Sequence, residues 1–305
     1  MLYFYYVEFL YDKEEMTTGN TLQEQTIKNN FMFGAAMLNE ANCRGLLERV
    51  LEIPIGNIEI DKKKNIVYRP EFKGVRLDVY AKDDSNRRFN VEMQVLREPS
   101  PGKRSRYYHS QIDMELLLTG MFYEQLPDTY VIFICDYDPF CAGKYRYVFR
   151  NICIEDESVH LQDGSWTIFL NTQGTNDDEI SDKLLNLLKF IGAGLEDSHK
   201  DFNDPYIKQL QNSFNAIKQD REMGKRYMLL EELLMRERQR SMELGKAEGK
   251  AESVITILTQ RFPVSEELSA YIMKETDFHT LEHWLNLAIS ADSVEQFMET
   301  IHFTT

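Results

Sequence analysis

Residues 73–96, KGVRLDVYAKDDSNRRFNVEMQVL, contain two runs in which apolar and polar side chains strictly alternate. Val75, Leu77 and Val79 alternate with Arg76, Asp78 and Tyr80, and Val91, Met93 and Val95 alternate with Asn90, Glu92 and Gln94. A period of two belongs to a half-buried strand. The cluster Asp83-Asp84-Ser85-Asn86 between the runs is turn-forming, so the stretch reads as a β-hairpin. With a loop of Asp84–Asn86 and residue 83 facing 87, residue 78 falls opposite 92 and residue 76 opposite 94. Asp78 and Glu92 then share one face with side chains about 5 Å apart. Two like charges in that position are destabilising, so a fold that keeps them has either turned them to solvent or placed a cation between them.

The remainder of the chain predicts what surrounds this hairpin. A helix is expected over 39–53, where Leu46, Leu47, Val50 and Leu51 recur at amphipathic spacing and Pro54 stops it. Residues 57–69 alternate as a strand or hairpin. EPSPGKRS (98–105) reads as a loop, and Lys103, Arg104 and the following Arg106 form a rare basic cluster. A helix over 106–125 follows, with Tyr107, Gln111 and Glu115 on one face. The apolar run TYVIFIC (129–135) is the signal of a strand buried on both faces. Residues 145–152 and 166–171 are further strands. That order describes an α/β unit, with a mixed sheet flanked by helices, over residues 21–175. A helical extension is expected over 176–244: one helix at 182–193 and a long one at 204–244 with the apolar seam Leu229, Leu230, Leu233 and Leu234. Two glycines in GKAEGKAES (245–253) predict a frayed helix or hinge. A small helical tail completes 245–305.

With 305 residues the chain can bury one large core and one or two smaller ones. A net charge of −15 argues against a generally basic protein that coats nucleic acid, while leaving room for a local basic groove. Cys43, Cys135, Cys141 and Cys153 lack paired metal-type spacing and read as reduced core thiols of a cytoplasmic protein. Residues 1–20 read as an N-terminal extension. Their apolar start has no basic leading segment and is too short to cross a membrane, and no other stretch is long enough. His279 and His283 lie four apart but lack the glutamate and third ligand of a zinc protease motif, so they read as surface helix.

Residues 73–94 (KGVRLDVYAKDDSNRRFNVEMQ) resemble the core of the PD-(D/E)XK nuclease superfamily, in the branch of recombination-promoting nucleases or PD-(D/E)XK nuclease family transposases. The resemblance continues through YYHSQIDMELLLTGMFYEQLPDTYVIFICDYDPF (107–140) and covers roughly residues 24–172. It implies a restriction-endonuclease-like sheet and a DNA endonuclease that uses Mg²⁺ or Mn²⁺, linked to recombination or mobile elements. By the same resemblance Asp78 and Glu92 are the metal-binding acids, and Gln94 stands where the motif has lysine. Phosphodiester cleavage needs a hard cation to bind the phosphate and activate water, and carboxylates are suitable hard ligands. Gln94 can hydrogen-bond a water but carries no charge. Lys73, Arg76 and Lys82 are nearby cations that can replace the lysine, and Glu40 or Glu48 a third acid. Lys103, Arg104, Arg106, Tyr107 and Gln111 are candidate nucleic-acid contacts. The rival readings are a nuclease-like module that binds DNA or protein without cutting, and a toxin-like or phage-defence component with the same chemistry. The 204–244 helix leans toward self-association as a homodimer.

Overall fold

A computed structural model describes residues 21–61, 65–66 and 75–303, the backbone alone at 65–66 and 75–76. Residues 1–20 and Lys73 lie outside them. The hairpin turn forms as expected. Strand β4 (Val79–Asp83) runs antiparallel to β5 (Arg88–Gln94), with Val79 facing Val91 and Tyr80 facing Asn90. The Asp83 carboxylate accepts from the backbone of Ser85 (3.1 Å) and Arg87 (2.9 Å), and Asn86 takes the left-handed conformation at φ 64°. Asn tolerates that conformation better than most residues, which suits it to this turn.

The first arm differs from expectation. Its residues Val75–Arg76 form a short strand, β3, that pairs with β2 (Asn65–Ile66) in a separate two-stranded ladder. Leu77 and Asp78 belong to no strand, and Leu77 joins the same apolar cluster as Tyr80. The alternation therefore breaks at Asp78, and Arg76 pairs with Asn65 rather than lying opposite Gln94. The Asp78 N–H donates to the Glu92 side chain instead of to a ladder partner.

β1 (Ile58–Asp61), β4, β5, β6 (Thr129–Cys135), β7 (Arg146–Phe149) and β8 (Ser165–Asn171) make a six-stranded sheet in the order β1-β4-β5-β6-β8-β7. β5–β6 and β6–β8 are parallel and the other pairs antiparallel. Every residue of β6 is buried, as a strand flanked on both sides and covered on both faces requires. On one face Phe89, Val91, Met93, Ile132, Ile134 and Leu170 join helices α1 (Asn30–Met37) and α2 (Glu40–Leu51) in the main core. The other face carries Tyr80, Val131, Phe133 and Phe169 beneath Tyr108 and Ile112 of helix α3 (Pro101–Leu116).

α3 starts five residues earlier and ends nine residues earlier than the sequence pattern predicts, so Lys103, Arg104 and Arg106 stand on a helix, not a loop. Pro101 is tolerated at the helix start because the first N–H groups have no intrahelical partner. The expected helix over 204–244 is two helices. α5 (Pro205–Gln219) follows α4 (Asp182–Gly192), and α6 (Arg221–Arg261) begins after extended Asp220, whose carboxylate caps it through Glu222 N at 2.8 Å. α4 and α5 supply Leu184, Leu188, Ile207 and Leu210 to the same core as the sheet.

The chain forms two units, residues 1–228 and 229–305. The second contains most of α6 with α7 (Glu266–Lys274), α8 (Phe278–Ser290) and α9 (Val294–Thr300). Its core includes Ala247, Ala251, Val254, Leu258 and Trp284. The hinge expected at 245–253 is uninterrupted helix. Packing of Ala247 and Ala251, four residues apart on one face, offsets the roughly 1 kcal/mol that each glycine costs. His279 and His283 are exposed on α8.

Candidate functional site

The even-numbered residues of β5 are the unusual ones. Polar side chains on a half-buried strand should meet water, yet Asn90, Glu92 and Gln94 are at most 2% exposed beneath α3. The alternation separates two buried faces, one apolar and one polar. A buried polar group needs hydrogen bonds and a buried charge needs a partner.

The Asp78 N–H donates to Glu92 Oε1 at 3.2 Å, and the Met93 N–H donates to Asp78 Oδ2 at 3.3 Å. The two acids are therefore interlocked through the backbone of both hairpin arms. Glu92 Oε2 accepts from Arg104 Nη2 and from Tyr108 Oη, each at 3.3 Å. Arg104 Nη1 donates to Gln94 Oε1, and Gln94 Nε2 donates to the Leu96 carbonyl at 3.2 Å. Arg104 and Tyr108 lie one helical turn apart and share hydrogen bonds of 3.1 and 3.0 Å from Nε and Nη2 to the phenol oxygen.

Burial raises the Glu92 carboxyl above the usual carboxylate range, the Asp78 charge raises it further, and Arg104 opposes both. Tyr108 is also raised, by burial and then by Glu92, so its phenol keeps the proton it donates. Two carboxylates against one guanidinium would leave an excess negative charge once both are ionised, and without a cation Glu92 avoids it by holding its proton. Two adjacent hard oxygen donors with that excess fit a divalent cation, since Mg²⁺ is commonly held by one or two carboxylates with water and phosphate completing its shell. No group of three or more His, Cys, Asp or Glu suited to a metal occurs among the described residues.

Asp78, Glu92, Gln94 and Arg104 thus converge. Lys103 and Arg106 are exposed on α3, Tyr107 packs against the Tyr108 cluster, and Gln111 is buried. Glu40 is exposed at the start of α2, and Glu48 accepts from Ile55 N at 3.3 Å. Both acids sit on a helix packed on the opposite sheet face, so neither joins the pair. Lys82 faces Arg88, four residues along from Asp78. Tyr108 was not singled out from the sequence. Its spacing of four from Arg104 is the available signal, hidden because the helix was expected to begin at residue 106.

The model of the family described as PD-(D/E)XK nuclease family transposase matches residues 30–252, more than two thirds of the chain. No curated protein and no solved structure matches it.

Proposed function

The chain belongs to the PD-(D/E)XK nuclease family transposases, and from that premise we propose that it is a Mg²⁺- or Mn²⁺-dependent DNA endonuclease acting at Asp78 and Glu92. The observation that carries this reading is the interlocked Asp78–Glu92 pair near the carboxyl end of β5, with Glu92 buried and Asp78 partly exposed beside it. When bound, the cation supplies a Lewis acid for the scissile phosphate and lowers the pKa of an attacking water. The chain's own groups hold and orient. Asp78 and Glu92 are the ligands, and Tyr108 fixes the Glu92 carboxylate by donating to Oε2. Gln94 helps to position the water. The first turns of α3 present exposed Lys103 and Arg106 beside a positive helix end, a favourable place for DNA phosphates.

The test is cleavage of supercoiled plasmid with Mg²⁺, Mn²⁺ or chelator, comparing wild type with Asp78→Ala and Glu92→Ala. Each substitution should lower the rate about 100-fold or more. Cleavage that survives both changes refutes the site. A second reading, a nuclease-like module that binds DNA or protein without cutting, draws on the uncharged Gln94. It predicts no cleavage but DNA binding that weakens with salt.

The proposal extends to a role in recombination or mobile elements and to a cytoplasmic setting. No helix among the described residues is long and apolar enough to cross a membrane. It also includes a homodimer through α6, where Met228, Leu229, Met235 and Met242 are exposed. A single-chain mass by sedimentation at micromolar concentration would remove the dimer.

A further inference from the structure

We propose that Arg104 delivers from helix α3 the positive charge that Gln94 does not carry at the end of β5, so that the pair Gln94–Arg104 does together what one strand lysine would do. The inference rests on the nuclease reading and names a further residue for the phosphodiester chemistry.

Three observations carry it. Arg104 is hydrogen-bonded to the very atom of Gln94 that a lysine would lack, the side-chain carbonyl oxygen, and its other terminal nitrogen reaches Glu92 Oε2. Its position is constrained from several sides: Tyr108 accepts from Nε and Nη2, and the guanidinium lies 5.3 Å from the Tyr108 ring centroid and 5.5 Å from that of Phe133. Its side chain is 25% exposed while that of Glu92 is 3% exposed, so the cation reaches from buried Glu92 to the surface where a phosphate would arrive. A lysine at 94 would set a second positive charge against this guanidinium. A glutamine instead accepts from it and fixes its direction. Arginine cannot lose its proton in a protein, so Arg104, its donors held by Gln94, Glu92 and Tyr108, acts by its fixed charge toward the phosphate and moves no proton.

The experiment moves the charge between the two positions. Wild type, Arg104→Gln, Arg104→Lys and the double variant Gln94→Lys/Arg104→Gln are compared by single-turnover cleavage of a DNA duplex with Mg²⁺. Binding of the same duplex is followed by anisotropy with Ca²⁺, and folding by circular dichroism. Arg104→Gln should slow cleavage about 100-fold while leaving duplex affinity within about threefold, a loss in the chemical step rather than in binding. Arg104→Lys should recover part of the rate. The double variant should return to within about tenfold of wild type, because the charge is back on the strand. A double variant as slow as folded Arg104→Gln overturns the inference, as it would show Arg104 to be only a prop for Glu92. Arg104→Gln cutting at the wild-type rate, while Asp78→Ala does not cut, overturns it and leaves the nuclease reading standing. Wild type that binds the duplex without cutting overturns both.

Discussion

The two faces of β5 are equally buried and chemically opposite. Phe89, Val91 and Met93 are at most 2% exposed on one face, and Asn90, Glu92 and Gln94 are at most 2% exposed on the other. The apolar face gains from removal from water. The polar face must recover with hydrogen bonds what it loses in hydration, and its one carboxylate, Glu92, is repelled by that of Asp78 on the other arm. A stretch where folding favours one arrangement and the residues supply another is where function is expected. Substitutions on the two faces should therefore differ in sign. The largest effect is expected on the apolar face: Phe89→Ala removes a ring stacked on Tyr130 at 5.2 Å between centroids and should cost about 3–5 kcal/mol. Chemical denaturation measures it. A loss well under 1 kcal/mol would show that the apolar face is not the structural one.

How far this contrast was legible depended on locality. The 78/92 apposition follows from a three-residue loop, and a single tight turn propagates register over the whole hairpin. TYVIFIC announced its own burial. The burial of Glu92 was not legible, because period two tells that a strand has two faces and cannot tell whether a helix covers the second. Arg104 was misplaced for a similar reason. Pro99, Pro101 and Gly102 look like loop, yet Pro101 is a helix start, which depends on the chain reaching left-handed Ser100 first. Gly245 and Gly249 look like a hinge until Ala247 and Ala251 are seen to pack in the second core. In each case a tertiary contact overrides a local preference.

The polar face continues away from the acids, and there it can be probed by pH. His109 of α3 is 8% exposed, with Nδ1 2.8 Å from Thr129 Oγ1 and Nε2 3.1 Å from Thr167 Oγ1. Burial lowers its pKa from 6.5 to about 4, against the opposing charge of Asp163. Between those values the unfolded chain binds a proton that the folded chain does not. Stability therefore rises with pH across that window and is lost as pH falls through it, by up to about 3 kcal/mol. In His109→Gln this contribution to the pH dependence should vanish, as read by urea midpoints from pH 4 to 7. An unchanged slope would mean that His109 already protonates freely in the folded state.

Glu92 should behave in the opposite sense. Burial and Asp78 raise its pKa to about 8, so between the ordinary carboxylate range and that value the folded chain holds a proton that the unfolded chain releases. Its contribution to stability is present at low pH and is lost as pH rises through the window. Glu92→Gln keeps the shape and removes the charge, but one carbonyl oxygen must then replace two acceptors that serve Asp78 N, Arg104 and Tyr108. The gain from lost repulsion exceeds that loss only where the carboxylate would be ionised. Glu92→Gln should therefore be more stable than wild type by about 1 kcal/mol at pH 8 without divalent metal, and no more stable at pH 5. The same variant should fail to cut DNA. A more stable protein that has lost its activity would mark the polar face as kept for chemistry. A Glu92→Gln protein less stable at pH 8 would make the carboxylate pair a structural element, no different in purpose from Phe89 on the other side of the strand.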